Sequence, residues 1–250
     1  MIDQRTDFHA LFGLPSQGVS ALCTTRWLRP KMQRVSLQAD QDFNLAVHAS
    51  DDPQRVLINR ALLLQQFDLP AEPLWLDQVH GTQIHRVVES KSSSFPPVAD
   101  GATTRLQNQV LAVLTADCLP LILATKDGAQ VAAVHVGWRG LASGIIGVAV
   151  DCFNGAPLVA WIGPGIGPCH FEVGPELKEK FSSDLFAAGR PPDRVLLDLP
   201  QAAQRDLASA GVSEIKMSGV CTVCSVNDFY SYRQEGVTGR FATLVWRESR

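Results

Sequence analysis

The middle of the chain carries two apolar runs separated by a short polar turn. TADCLPLIL (115–123) and VAAVHVGWRG (131–140) are rich in Val, Leu, Ile and Ala, and Lys126-Asp127-Gly128 lies between them. Runs of this length and composition predict two largely buried strands joined as a hairpin. Similar patterns predict strands over 19–25, 73–80, 83–89, 157–163, 212–218 and 240–246, with the pair around Gly81-Thr82 forming a second hairpin. Helical spacing takes over at 51–67, where Asp51 or Asp52 caps, Pro53 fits the first turn, and Val56, Leu57, Leu63 and Leu64 form the apolar face. Leu141, Ile145, Val148 and Cys152 predict a helix after Gly140, and 175–183 a short amphipathic one. Over 198–211, Asp198 is the cap, Pro200 comes early and Gly211 is the stop. The polar stretches at 26–42 and 90–104 read as loops, and 221–236 as a loop or short helix. No repeat and no clean linker interrupts the chain, so it reads as one domain, 1–250, of the α+β class with mixed sheets.

Composition narrows the function classes. With 250 residues, 46% hydrophobic and 19% charged, this is an ordinary soluble globular chain able to bury a core. A net charge of −3 without a basic block argues against an electrostatic grip on nucleic acid and leaves room for a small phosphate pocket. The first residues lack the basic and apolar regions of a signal peptide, and 141–150 is too short to cross a bilayer, so the expected setting is cytoplasmic and without membrane partners. The pattern does not specify an oligomeric state. Six scattered cysteines in such a setting predict free thiols. Cys152 and Cys169 adjoin apolar or glycine-rich segments, where a free Cys acts as a small hydrophobe. Cys221 and Cys224 form a lone CxxC with no second pair or nearby His in the sequence, and Cys224 reads as incidental.

Three residues suggest chemistry. Cys118 and His135 sit in the two central runs, and His80 ends another. Taken singly, each has a structural reading: a rim His, a packed thiol, a buried neutral imidazole. Together, two His and one Cys make a zinc site with an open position, or a Cys/His couple for nucleophilic chemistry. Their spacings of 38 and 17 residues match no zinc-finger pattern. Arg139 follows His135 at the start of a helix, where it suits either a phosphate or a surface ion pair. His170, after a glycine-proline turn, suits a general acid or base or simple turn packing. Asn44 and Arg233 are further substrate contacts, against readings as a turn residue and a helix-surface cation.

Longer motifs point to a family. QVHG, ADGATT, TADCLPLIL, VHVGWRGL and IGPGIGPCHFEVG occur in this order, with NLAVHASDDPQRVLINR before and CTVCSVNDFYSYRQEG after. Over about residues 20–246 the chain resembles the YfiH-like family, also called the multicopper polyphenol oxidase or laccase-domain family and a purine nucleoside phosphorylase family. The resemblance implies a layered α/β/β/α sandwich likened to cysteine hydrolases, and zinc ligands at His80, Cys118 and His135. It also implies phosphorolysis of adenosine, inosine, guanosine and methylthioadenosine, and deamination of adenosine. Arg139 then holds phosphate for attack on the ribose anomeric carbon, and His170 moves a proton. The chain departs from the family after Thr24-Thr25-Arg26, where WLRPKMQ replaces a glycine-rich GGVS turn and with it any substrate contact made by that turn's backbone.

Three other readings stand beside this one. In a thiol hydrolase acting on peptidoglycan precursors, Cys118 is the nucleophile and His135 its base. Copper fits a His₂Cys set, but six histidines are too few for all the centres of a multicopper oxidase. A nucleotide-binding module without turnover uses the same arginine and glycine turns.

Overall fold

The computed structural model describes residues 18–28, 42–49, 51–89, 95–189 and 193–249. Apart from Trp27 and Leu28, the WLRPKMQ departure lies outside them. Among the described residues the strands are β1 (Val19–Cys23), β2 (Ile84–Val87), β3 (Gly101–Thr104), β4 (Leu111–Thr115), β5 (Leu119–Thr125) and β6 (Val131–Val136). They continue with β7 (Leu158–Ile162), β8 (Glu172–Val173), β9 (Phe186–Ala188), β10 (Val195–Leu197), β11 (Glu214–Met217) and β12 (Phe241–Arg247). The α-helices are α1 (Pro53–Gln66), α2 (Trp138–Ala142), α3 (Ile145–Asp151), α4 (Leu199–Ser209) and α5 (Tyr232–Glu235). No helix among the described residues is long and apolar enough to cross a membrane.

The expected central hairpin, β5–β6, is the middle of a six-stranded sheet ordered β11-β7-β5-β6-β3-β2. Its strands read as continuous apolar runs because both faces are covered. Along β5, Leu119, Leu121 and Leu123 enter one core with α3 and α4 residues such as Ile145, Ile146 and Ala203. Ile122 and Ala124 turn to the opposite face and meet Val19, Leu111, Val113 and Val245 of the second sheet, β1-β12-β4. The outer face of that sheet, through Leu22, Ala112 and Leu244, packs on Leu63 of α1. The period-two split of one run between two cores is the strand geometry at work. β2 pairs parallel with β3 and β11 parallel with β7, and the other pairings are antiparallel, so the six-stranded sheet is mixed, in keeping with the α+β reading, while β1-β12-β4 and β8-β10-β9 are antiparallel.

Helix ends follow their capping chemistry. The Asp52 side chain accepts from the Gln54 amide at the start of α1, and that of Asp198 accepts from Gln201 at the start of α4. The apolar face of α1 differs from expectation, because Leu57 is 59% exposed while Val56, Asn59 and Leu63 are buried. The helix expected after Gly140 is two helices, broken at Gly144, whose φ of +85° leaves the right-handed region. Val148 lies on the exposed side of α3. The segment 175–183 holds short 3₁₀ turns in place of an amphipathic helix.

Two further corrections bear on the site. No hairpin forms around Gly81-Thr82; 73–80 makes only isolated bridges, Leu74 to Leu111 and Asp77 to Val98. GATT, read as the end of a loop, is the fully buried strand β3, with Ile84 of β2 beside Gly101. A Cβ at Gly101 would lie 2.6 Å from Ile84 Cδ1, so glycine lets the parallel pair close.

Candidate functional site

Three neighbouring strand ends build the centre of the site. His135 is the fifth residue of β6, Cys118 immediately precedes β5, and Asp100 immediately precedes β3. Because β6 lies between β5 and β3, Cys118 and Asp100 flank His135 from its two sides. The His135 amide donates to the Asp100 carbonyl at 2.6 Å, which fixes the register of that row. His80 arrives from the extended segment before β2. The Gln78 side chain there donates to the Leu114 carbonyl and accepts from the Leu114 amide, both at 2.8 Å, and so pins the approach to β4.

Asp100 organises both histidines. Its carboxylate is fully buried and accepts four hydrogen bonds: from the amides of Val79 (3.2 Å), His80 (2.8 Å) and Gly81 (2.6 Å), and from His135 Nδ1 (2.8 Å). The three consecutive amides form a backbone nest around an anion. They also hold His80 at a φ of +61°, a left-handed conformation uncommon for a non-glycine residue. Burial alone raises the Asp100 pKa, but the His135 hydrogen bond and the Gly81 and His80 amides outweigh it and keep the carboxylate ionised. Donation from Nδ1 leaves His135 Nε2 with its lone pair free toward the centre.

His80, Cys118 and His135 offer one ligand atom each, all within 4.8 Å of one another. The imidazoles meet edge to face, with centroids 4.7 Å apart. A Cβ on Gly137 would lie 3.0 Å from Cys118 Sγ and 3.0 Å from His80 Cδ2, so the missing side chain leaves the thiol and ring room to converge. The trio grades from exposed His80 to buried His135, which leaves one side open to substrate. Burial raises the Cys118 thiol, yet the charge of His135 and hydrogen bonds from both histidines bring it down to about 6. His135 is lowered by burial and raised further by Cys118 and Asp100, to about 9. Cys118 and His135 therefore form a thiolate–imidazolium pair when no metal is bound. Two imidazoles and a thiolate, with a carboxylate behind one ring, suit zinc with an open fourth position, and Cu²⁺ accepts the same donors.

Asp117, beside Cys118, has a φ of +92° and is also tied down. Its carboxylate accepts from Thr222 Oγ1 and from the Arg233 amide, both at 2.6 Å, and its carbonyl accepts from the Ile166 amide at 2.7 Å. Arg233 is thus more than a helix-surface cation, since its guanidinium also donates to the His170 carbonyl at 2.9 Å. Arg139 stands exposed at the second position of α2, over the Trp138 ring. Gly140 packs α2 against the His80–Gly81 turn, where a Cβ would come within 2.8 Å of the Gly81 carbonyl. Asn44 is buried with its side chain turned inward, donating to Ala46 and Asp51 and accepting from the Ala46 and Arg240 amides. That set uses all its hydrogen-bonding capacity on the loop. His170 stands among Cys169, Cys221 and Cys224, so the CxxC has the nearby His and third thiol that its sequence neighbourhood lacks.

The sequence reading missed Asp100 and Arg240. Asp100 sits in the acidic-glycine signal of ADGATT, which reads locally as a turn. Arg240 is a partly buried cation whose pKa is lowered by burial and partly restored by the charges of Cys118 and Asp117.

Residues 22–248 match the model of a family described as multi-copper polyphenol oxidoreductase laccase. The chain belongs to this family. Its relatives include proteins named purine nucleoside phosphorylase YfiH from Escherichia coli K12, 38% identical with 92% of this chain and 94% of the relative covered, and purine nucleoside phosphorylase from Haemophilus influenzae, 39% identical with 86% and 90% covered. Among solved structures, YlmD from Geobacillus stearothermophilus superposes with a TM-score of 0.83 at 28% identity, covering 94% of each chain. A Neisseria meningitidis protein superposes with a TM-score of 0.82 at 34% identity, covering 94% of this chain and 97% of the other. The YfiH-like resemblance and the mixed α+β fold agree with these matches.

Proposed function

We propose that this chain is a zinc-dependent purine nucleoside phosphorylase working at His80, Cys118 and His135, with adenosine deamination at the same site. The observation that carries this reading is the convergence of the trio around a buried carboxylate, in a chain whose relatives over nearly their full length bear the phosphorylase name. Zinc held there supplies Lewis acidity and lowers the pKa of a water in its open position. Asp100 fixes the His135 tautomer and the backbone of His80, so both ligands are set before substrate arrives. In phosphorolysis a phosphate oxygen bonds to the ribose C1′ while the C1′–N9 bond breaks, and the purine leaves with the electron pair and takes up a proton. Arg139, exposed on the helix packed against the His80 turn, holds the phosphate, and Arg240 adds positive potential from the Cys118 side. Purine nucleosides and phosphate are the small-molecule partners.

A second reading is favoured by one specific observation. Cys118 lowered to about 6, His135 raised to about 9 and Asp100 on His135 Nδ1 make a thiolate–imidazolium–carboxylate row, as in thiol hydrolases. Zinc and a nucleophilic role compete for the same sulfur. Both readings are tested on protein purified without chelator or metal-charged resin, by measuring metal content and the turnover of adenosine and inosine with phosphate, alongside Cys118→Ala. Zinc at this site, lost in the variant together with base or inosine release, supports the nucleoside enzyme. Undiminished turnover by zinc-free protein, abolished by a thiol reagent, overturns the zinc-dependent reading in favour of Cys118 as the nucleophile.

A further inference from the structure

Cys169, His170, Cys221 and Cys224 lie in two segments more than fifty residues apart, yet their ligand atoms all fall within 4.8 Å of one another. Cys169 Sγ is 3.6 Å from Cys224 Sγ. His170 Nδ1 is 3.2 Å from Cys169 Sγ, 3.5 Å from Cys224 Sγ and 3.7 Å from Cys221 Sγ. Tetrahedral zinc, with Zn–S about 2.3 Å and Zn–N about 2.0 Å, holds its ligand atoms about 3.5–3.8 Å apart. Three of these four separations fall in that range and the fourth, His170 Nδ1 to Cys169 Sγ, is slightly shorter. A disulfide would join two of these sulfurs at about 2.05 Å and give no reason for a third thiol and an imidazole nitrogen at the same centre.

The backbone is shaped to the cluster as well. A Cβ on Gly167 would lie 3.1 Å from Cys221 Cβ and in contact with Cys169 Sγ and Cys221 Sγ at 3.4 Å, so glycine lets the turn close against Cys221. The Gly167 amide donates to Cys221 Sγ at 3.3 Å, an outer hydrogen bond of the kind that orients a metal-bound thiolate. An isolated bridge between Gly165 and Cys221 brings the two segments alongside each other.

We propose that Cys169, His170, Cys221 and Cys224 form a second, closed zinc site of the Cys₃His type, distinct from the trio. Four protein ligands leave no position for substrate, so this site is structural. It clamps the 165–171 turn to the 221–233 segment. Those two segments supply the Ile166 amide, Thr222 Oγ1 and the Arg233 amide that hold Asp117 beside Cys118. The clamp thereby steadies the strained peptide next to the trio without touching substrate. The assignment stands whichever reaction the trio performs.

The test is zinc stoichiometry on the full-length chain, unmodified and as Cys118→Ala, which disables the trio. About two zinc ions per chain are expected in the unmodified protein and about one in Cys118→Ala. Cobalt in place of zinc should show thiolate charge-transfer and tetrahedral d–d bands that survive Cys118→Ala and collapse when Cys224→Ser is added to that variant. Should Cys224→Ser fail to fold, alkylation of the unmodified chain decides. Cys169, Cys221 and Cys224 should be shielded until a chelator is added, as mapped by peptide mass spectrometry. The proposal is overturned if Cys118→Ala retains no zinc, if the three thiols alkylate freely without chelator, or if native protein carries a Cys169–Cys224 disulfide.

Discussion

Replacing Asp100 with Asn removes one of two carboxylate oxygens while keeping size and shape. Oδ1 accepts from the His80 amide and His135 Nδ1, and Oδ2 accepts from the Val79 and Gly81 amides. Asn has a single oxygen, so whichever pair it serves, its NH₂ faces two donors. Each donor left unpaired away from water costs about 1–3 kcal/mol, which puts two at about 2–6 kcal/mol. Val79 is 56% exposed, so water can satisfy part of this nest, and the lower half of the range, about 2–4 kcal/mol, is the expectation. The left-handed His80 loses part of its restraint at the same time, and a metal ligand without its outer hydrogen bond typically binds about 10–100-fold more weakly. Urea unfolding of zinc-free protein measures the stability change, and competition with a chelator measures zinc affinity. A change below about 1 kcal/mol together with unaltered zinc affinity would refute the argument that Asp100 holds the site.

Three other expectations follow from the same geometry. In zinc-free protein, alkylation of Cys118 by iodoacetamide should titrate with a midpoint near pH 6 rather than near the ordinary 9, and zinc should suppress it; a midpoint near 9 would remove the ion pair from the account. The pair should also shape stability. The depressed Cys118 pKa contributes stability that is complete above about 9 and is lost as pH falls to about 6, and the raised His135 pKa contributes stability that is complete below about 6.5 and is lost as pH rises to about 9; the two offset, so the urea midpoint of zinc-free protein should stay nearly level between about pH 6.5 and 9, and a steep slope there would refute the pairing. Gly137→Ala places a Cβ 3.0 Å from Cys118 Sγ and from His80 Cδ2, and should weaken zinc binding roughly tenfold with little change in the unfolding midpoint of the zinc-free chain.

The chain's own pattern revealed a good deal of the fold. Continuous apolar runs at 119–125 and 131–136, short and bounded by turn signals, read as strands covered on both faces, and Asp52-Pro53 and Asp198 with Pro200 mark helix starts by chemistry that acts within a turn. Failures came where a partner distant in sequence overrode local signals. Gly81-Thr82 resembles a hairpin turn, but the Asp100 carboxylate claims the amides of 79–81, and β2 pairs with β3 instead. GATT follows a serine- and proline-rich stretch and reads as loop, yet it is buried between β2 and β6.

The candidate site divides along the same line. Sequence determined which residue types were available: a Cys and two His at the ends of apolar runs, an arginine four residues past His135, and a CxxC. Those are properties of single segments, set by burial and local spacing. Tertiary structure alone decided which of them meet. The order β5-β6-β3 brings Cys118 and Asp100 to His135 from its two sides, and the pairing of the 165–171 turn with the 221–233 segment brings Cys169 and His170 to Cys221 and Cys224. Convergence of this kind depends on pairings between segments tens of residues apart, whose energies come from the whole packed core and leave no periodic mark on either segment.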